Sequence, residues 1–388
     1  MLKLFKNAKI VLENRIVEGS IVLSDGKIIE ISTSGTETCD EVVDVKGNYL
    51  LSGFIDVHVH GGGGADFMDG EVETFEHAVN THLSHGTTSI CPTTMSAEFT
   101  EILNVVDVYR EVVKRGKTKA NLCGLHLEGP FISPKMCGAQ RLDLIIPPTE
   151  KIIEALIKNS DVIARISCAP EVDNVLYMAE KLLPYGVQFS MGHTNATYEQ
   201  AETATEIGFT SITHMYSATS GFHKVNQKVH VGVTQAGYGI EELFVELIGD
   251  GCHVPKELLR LVSKIKGYEK VCLVTDAMRA AGTDVEESYL GSVCPENRVI
   301  IDDGVAKLPD KSFFAGSIGT MDRALRFAVQ KANIPIWAAS IMLSLAPAKL
   351  LGIQNDKGSL EIGKDADIVI MDNDLNVDSV FIKGQKVC

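Results

Sequence analysis

The chain is a succession of short apolar runs separated by polar turns, and the spacing changes character along its length. Over roughly the first fifty residues, period-2 segments at 9–12, 20–23, 27–32 and 41–45 are broken by Gly and Asp, which predicts an antiparallel β unit. The closing stretch reads the same way, with strand patterns at 367–371 and 380–383. Both ends are therefore expected to pair into one small β-sandwich, built from 1–52 and 355–388, that encloses whatever lies between.

Between them, apolar β-rich runs alternate with longer helical stretches, the signature of βα units and a parallel sheet. Eight such runs occur, at 53–60, 87–93, 122–128, 162–169, 187–193, 210–214, 243–250 and 270–276. Helices are expected between most of them, at 97–114, 149–158, 172–183, 198–206 and 255–264. Eight strand–helix units predict an α/β fold, a (β/α)8 TIM-like barrel over 53–354. The polar residues of these runs fall at or just past their C-terminal ends: His58 and His60, Glu128, His193, His214, Asp250 with His253, and Asp276. In such barrels that rim carries the active site.

Composition narrows the function without naming it. Of 388 residues, 45% are hydrophobic and 22% charged, as in an ordinary globular protein, and 36 Lys+Arg against 51 Asp+Glu give a net charge of −15. With no basic cluster, nucleic acid and anionic membrane are excluded as partners, and an anionic substrate must be met by local cations. Nine cysteines without a C-x-x-C pair argue against a disulfide framework and against a thiolate zinc module. The opening segment lacks the apolar core of a signal peptide, and no run of 18 apolar residues occurs, so a cytoplasmic protein is expected.

In F-I-D-V-H-V-H the period-2 geometry of a strand sends His58 and His60 to one face, into the barrel mouth. Neutral imidazoles converging with a carboxylate suit Zn²⁺ or another divalent transition ion, with Fe²⁺, Co²⁺ and Mn²⁺ also accepted by such an N/O set. Glu128, His193 and His214 approach one point from neighbouring strands and leave a coordination position for water, the mark of a catalytic site. Asp276 ends the eighth run in V-T-D-A-M as ligand, base, or both. A metal that acidifies water beside a carboxylate that shuttles the proton is the logic of hydrolysis.

These residues carry a resemblance. The segments S-G-F-I-D-V-H-V-H-G from Ser52, G-L-H-L-E-G-P-F from Gly124, G-H-T from Gly192, T-H-M-Y from Thr213, D-G-x-H from Asp250, V-T-D-A-M from Val274, A-G-S from Ala315 and G-x-D-A-D from Gly363 resemble, in this order, the N-acetylglucosamine-6-phosphate deacetylases of the amidohydrolase superfamily. The resemblance implies a barrel with a small β-sandwich, a homodimer, and hydrolysis of the acetamide of an amino-sugar phosphate. It implies that Glu128, His193 and His214 are the principal metal ligands, that Asp276 is the catalytic acid/base and that His253 contacts substrate. Because His58 and His60 are kept, one or two metals per subunit are expected.

Three departures fall in the substrate grip. Gly138-Ala139-Gln140 stands where the family has Gly-Ala-His, His214 to Thr219 replaces His-x-x-Asn-Ala-Met, and His223-Lys224-Val225-Asn226-Gln227 replaces His-Arg-Glu-Pro-Gly. Substrate contacts are expected from Gln140, Ser217, Ala218, His223, Lys224 and Ala315. Gln140 and Ser217 leave N-acetylgalactosamine 6-phosphate, or another N-acyl hexosamine phosphate, as an alternative substrate. More distant alternatives are a cyclic amidohydrolase, which would bridge its metals with a carboxylated lysine that no strand end supplies here, and a non-catalytic sugar-phosphate binder, which would be expected to lose ligands.

Other features are expected to be bland. His77, His82 and His85 are read as a solvated helix surface, Gly61 to Gly64 as a flexible turn without the Lys-Ser/Thr of a phosphate loop, and Cys137 and Cys252 as packed thiols. His126 shares the inward face of Glu128 and is expected to orient ligands or contact the site directly.

Overall fold

The computed structural model describes residues 1–33 and 39–388. Eight parallel strands follow the expected runs: Phe54–Val59, Thr87–Thr94, Leu125–Glu128, Ile163–Cys168, Gln188–Met191, Phe209–Ile212, Phe244–Ile248 and Val271–Val274. Their neighbours pair in sequence order. The ring closes where Asp276 N donates to the His58 carbonyl at 2.9 Å and Val59 bridges Ala277 in parallel. Amphipathic helices at Phe99–Arg115, Glu150–Lys158, Val175–Leu182, Tyr198–Ile207 and Lys256–Lys266 turn their apolar faces onto this barrel.

The third run is divided. Asn121–Leu122 pairs with the second strand, and Leu125–Glu128 pairs with both the second and the fourth. Gly124 makes the step at φ +96, where a Cβ would stand 2.8 Å from that of Ala164, so only glycine allows the two strands to approach there.

Strands from both ends form one further sheet, ordered Gln385–Lys386, Val377–Ile382, Ile368–Met371, Tyr49–Ser52, Leu2–Val11, Ile16–Ser24 and Lys27–Ser32, with Glu41–Asp44 also on Leu2–Val11. Phe5, Ile10, Ile21, Ile28, Leu50, Ile368 and Phe381 share its core. The sheet is mixed rather than antiparallel throughout, because Glu41–Asp44 and Tyr49–Ser52 both run parallel to Leu2–Val11. One strand edge serves both partners: residues 3–6 take Glu41–Asp44 and residues 9–10 take Tyr49–Ser52, on either side of the point, Phe5 to Ala8, where the strand's register against Ile16–Ser24 shifts. Asn121 Nδ2, donating to Asp367 Oδ2 at 3.1 Å, ties this sheet to the barrel.

Two insertions were not expected from the sequence: an exposed hairpin of His223–Val225 with Lys228–His230, and a three-stranded sheet of Glu287–Tyr289, Arg298–Asp302 and Val305–Lys307. Their strands are only three to five residues long, too short for a pattern to stand out.

Candidate active site

A cavity of about 290 Å³ opens at the C-terminal rim of the barrel. Its walls include His60, Glu128, Gln140, His193, His214, Ser217, Ala218, His253 and Asp276, completed by Met95, Tyr216, Leu290, Phe313, Phe314 and Gly316.

Glu128 is the hub at its base. Its Oε1 lies 2.9 Å from His214 Nε2 and 3.3 Å from both His193 Nε2 and His58 Nε2, while Oε2 lies 3.3 Å from His60 Nε2. Asp276 Oδ1 stands 3.2 Å from His60 Nε2 and 3.5 Å from His58 Nε2. Two groups of potential metal ligands share Glu128: His58, His60 and Glu128, and Glu128, His193 and His214, all buried. Borderline nitrogen donors with carboxylate oxygens are the set a divalent transition ion takes.

The electrostatics favour a cation here. Burial opposes charge on His60, yet the carboxylates of Asp276 and Glu128 push it up to about 9. Burial likewise opposes ionisation of Asp276 and Glu128, but the facing imidazoles hold Asp276 down at about 2 and Glu128 well below the usual carboxylate range. A bound dication satisfies the same negative field and leaves the imidazoles neutral, as ligation requires.

The imidazoles are oriented from behind. His193 Nδ1 donates to the Met136 carbonyl at 2.8 Å and His214 Nδ1 to the Ser217 carbonyl at 3.0 Å, leaving each Nε2 to face Glu128. His193, His214 and Asp276 take φ values of 46°, 28° and 47° just past their strands, in the left-handed region that branched and bulky residues avoid. His126 lies beneath the cluster, bonded to Ser167 Oγ at 2.7 Å and Thr93 Oγ1 at 3.3 Å with its ring 4.6 Å from that of His58. It supports the His58 ring without lining the cavity. Asp250 accepts from His253 Nδ1 at 2.7 Å and from its backbone N–H at 2.9 Å, which fixes that imidazole in the wall beside Phe314.

The fold does not bring every expected residue to the cavity. Gln140 reaches it, but its Nε2 donates to Glu128 Oε2 at 3.0 Å and its Oε1 accepts from Ser96 N at 2.8 Å. Ala315 is fully buried behind the wall, which Gly316 forms instead. His223 and Lys224 lie on the exposed hairpin, outside the wall. Among the described residues the wall contains no Lys or Arg.

The helix histidines are not all a solvated surface: His77 is exposed as expected, His85 is half-buried, and only His82 leaves the surface. His82 is fully buried and meets the Gly61 carbonyl at 2.8 Å, His77 reaches the Gly63 carbonyl at 3.0 Å, and His85 pairs with Asp322 at 3.2 Å. Nor is the glycine turn loose: Gly61 N, Gly63 N and Gly64 N donate to the carbonyls of Ala277, Ala281 and Arg279 at 3.0, 2.7 and 2.9 Å. The helix Val72–Ser84 packs directly on that turn, and a Cβ at Gly62 would stand 2.8 Å from His82 Nε2.

Sequence reasoning passed over the aromatic wall and two buried charges beneath the cluster, Arg165 and Glu246. Phe313 and Phe314 arrive from a loop without periodicity. Arg165 and Glu246 did leave a signal: each is the lone charge inside a barrel strand.

Comparison with known proteins agrees with this geometry. The Amidohydrolase family model matches residues 49–387. N-acetylglucosamine-6-phosphate deacetylase of Haemophilus influenzae is 32% identical over 98% of this chain and 97% of its own, and that of Bacillus subtilis is 33% identical over 98% and 96%. The crystal structure of the Pasteurella multocida N-acetylglucosamine-6-phosphate deacetylase superposes over the whole of both chains with a TM-score of 0.92 at 31% identity. A Mycobacterium smegmatis deacetylase mutant in complex with N-acetyl-D-glucosamine-6-phosphate superposes with a TM-score of 0.89 at 27% identity, covering 100% of this chain and 98% of that one. The match over nearly the whole length, with a cluster of potential metal ligands at the mouth of a (β/α)8 barrel, places the chain in the amidohydrolase family, among relatives that are N-acetylglucosamine-6-phosphate deacetylases.

Proposed function

We propose that this chain hydrolyses the acetamide of N-acetylglucosamine 6-phosphate to glucosamine 6-phosphate and acetate, with Glu128, His193 and His214 as principal ligands of a divalent ion and Asp276 as acid/base. The observation that carries this reading is the placement of the Asp276 carboxylate in the wall of the same cavity as that ligand group, facing it across Glu128 and His60. When bound there, a divalent ion, Zn²⁺ in our reading, polarises the acetamide carbonyl and acidifies a water. Asp276 takes a proton from the attacking water and returns it to the nitrogen as the C–N bond breaks. His253, held at Nδ1 by Asp250, presents its Nε2 edge to the substrate. Met95, Leu290, Phe313 and Phe314 give the sugar an apolar wall.

Ser217 and Ala218 are assigned to the phosphate end; His223 and Lys224, outside the cavity wall, would reach it only if the exposed hairpin that follows moves towards the cavity. The exposed Phe222, Val225 and Val229 of the hairpin segment support a homodimer, in which they would be covered. Cys91, Cys168 and Cys272, buried and outside any disulfide, support a cytoplasmic location. One observation favours a second reading, another N-acyl hexosamine phosphate. Gln140 stands where the resembled family has a sugar-contacting His, yet its amide is committed to Glu128 and Ser96.

Acetate release from a panel of N-acetyl hexosamine 6-phosphates and the unphosphorylated sugar, with metal-stripped and Zn²⁺-reloaded protein, tests both. The expected outcome is highest kcat/KM on the glucosamine derivative, abolished by chelation. Preference for the galactosamine derivative selects the second reading, and no acetate from any sugar overturns both. Lys224→Ala is expected to raise KM for the phosphorylated sugar by about tenfold to a hundredfold with little change in kcat, as loss of a charged contact present in ground and transition states does. An unchanged KM moves the phosphate contact elsewhere.

A further inference from the structure

The interior of a parallel barrel is normally filled by branched apolar side chains, and Arg165 and Glu246 are among the charged residues that break that rule here. Arg165 on the fourth strand and Glu246 on the seventh are 1% and 0% exposed and form an ion pair across the barrel beneath the cavity. An apolar filling of the same volume would be about as stable or more so, because desolvation offsets much of the attraction between two buried charges. Stability therefore does not account for the pair.

Its connections lead to the H-x-H segment. Glu246 Oε2 accepts from His58 Nδ1 at 3.2 Å, and Arg165 Nη1 donates to the Val57 carbonyl at 3.2 Å. The pair thus grips both the imidazole of His58 and the peptide just before it. Arg165 Nη2 also donates to Ser211 Oγ at 3.2 Å, which pins the guanidinium against the sixth strand.

The four imidazoles of the cluster differ in what stands behind them. His193 and His214 lean on neutral carbonyls, and His60 Nδ1 is buried without a hydrogen-bond partner. His58 has a carboxylate at its back. A carboxylate there fixes the Nδ1–H tautomer, leaves the Nε2 lone pair facing Glu128 and Asp276, and raises the basicity of that nitrogen. The geometry points to Arg165 and Glu246 as positioning residues that hold His58 as a ligand of a second divalent ion in the His58–His60–Glu128 group. This rests on the metal-site reading above and extends it to the H-x-H pair.

Metal-stripped wild type, Glu246→Gln and the double variant Arg165→Met/Glu246→Leu are titrated with Co²⁺, reading equilibrium metal content and thermal unfolding. Glu246→Gln leaves Arg165 buried without its counter-charge and loosens the fold; the double variant fills the same space without charge. Wild type is expected to take up two Co²⁺ per chain. Both variants are expected to keep one ion at wild-type affinity and to bind the other about 10–100-fold more weakly, the metal-free double variant unfolding no lower than metal-free wild type. Two ions at unchanged affinity in the folded double variant overturn the positioning role, and so does loss of both ions, which marks a general structural part. Wild type that binds a single ion overturns the second site itself, and wild type that binds none overturns the metal reading beneath it.

Discussion

His193, His214 and Asp276 hold positive φ at the point where each strand gives way to its loop. Such conformations cost about 1–3 kcal/mol each and persist only where the surroundings over-determine them, as they do around an active site. Here the backbone turn swings each side chain over the barrel mouth instead of along the strand. On the proposed assignment, removing a ligand and removing the proton carrier have separable effects. Glu128→Gln, His193→Ala and His214→Ala are each expected to lose the principal ion and nearly all activity, measured by metal content and turnover; retention of both in all three sinks the ligand assignment. Asp276→Asn is expected to keep the fold and most of the metal while kcat falls about 10²–10⁴-fold, the usual cost of losing a general acid/base. A kcat within a few-fold of wild type removes Asp276 from that role.

At the scale of elements, the helix Val72–Ser84 acts as a clamp on the glycine turn that follows the H-x-H strand. Burial drives the His82 imidazole down from 6.5 to about 4, so it is neutral in the folded protein at physiological pH. As the pH falls below 6.5 the unfolded chain takes up the proton first, and folded stability declines until about pH 4, where the folded state is protonated too. His82→Gln replaces the imidazole with a donor that does not titrate. The variant is expected to start less stable at pH 7 but to lose less of its stability between pH 6.5 and 4 than wild type, by up to a few kcal/mol. Parallel loss in the two proteins, followed by chemical denaturation, shows that His82 is not the titrating clamp.

For the whole molecule, the candidate ligand groups draw on the first, third, fifth and sixth strands, and Asp276 adds the eighth, so an ion held there would tie the barrel together across its mouth. An ion that binds the folded chain and not the unfolded one stabilises it by about 4 kcal/mol at a free concentration a thousandfold above Kd. Chelation is expected to lower Tm by several degrees and Zn²⁺ to restore it; equal Tm values with and without metal speak against a shared ion at Glu128. The −15 charge adds a mild repulsion that a bound dication partly relieves.

What the sequence determined by itself is whatever follows from local periodicity and from position on a strand. The eight barrel runs, their order, and the placing of Glu128, His193, His214 and Asp276 at C-terminal strand ends needed no long-range information, because a parallel strand buried on both faces is apolar throughout and a polar residue at its end stands out. The pairing of both termini in one sheet was legible for a related reason, since Ile368 to Met371 is a short β-branched apolar run bounded by polar residues, as strands are. Strand direction was not: the parallel partners of Leu2–Val11 depend on which strand edge is left open once the chain has folded. Nor were the burial of His82, the commitment of Gln140 to Glu128, the exposure of Lys224, or the Arg165–Glu246 pair under His58. Those were decided by tertiary structure, because they join residues far apart in sequence whose meeting depends on barrel closure, helix docking and inserted loops, none of which leaves a periodic trace in the chain.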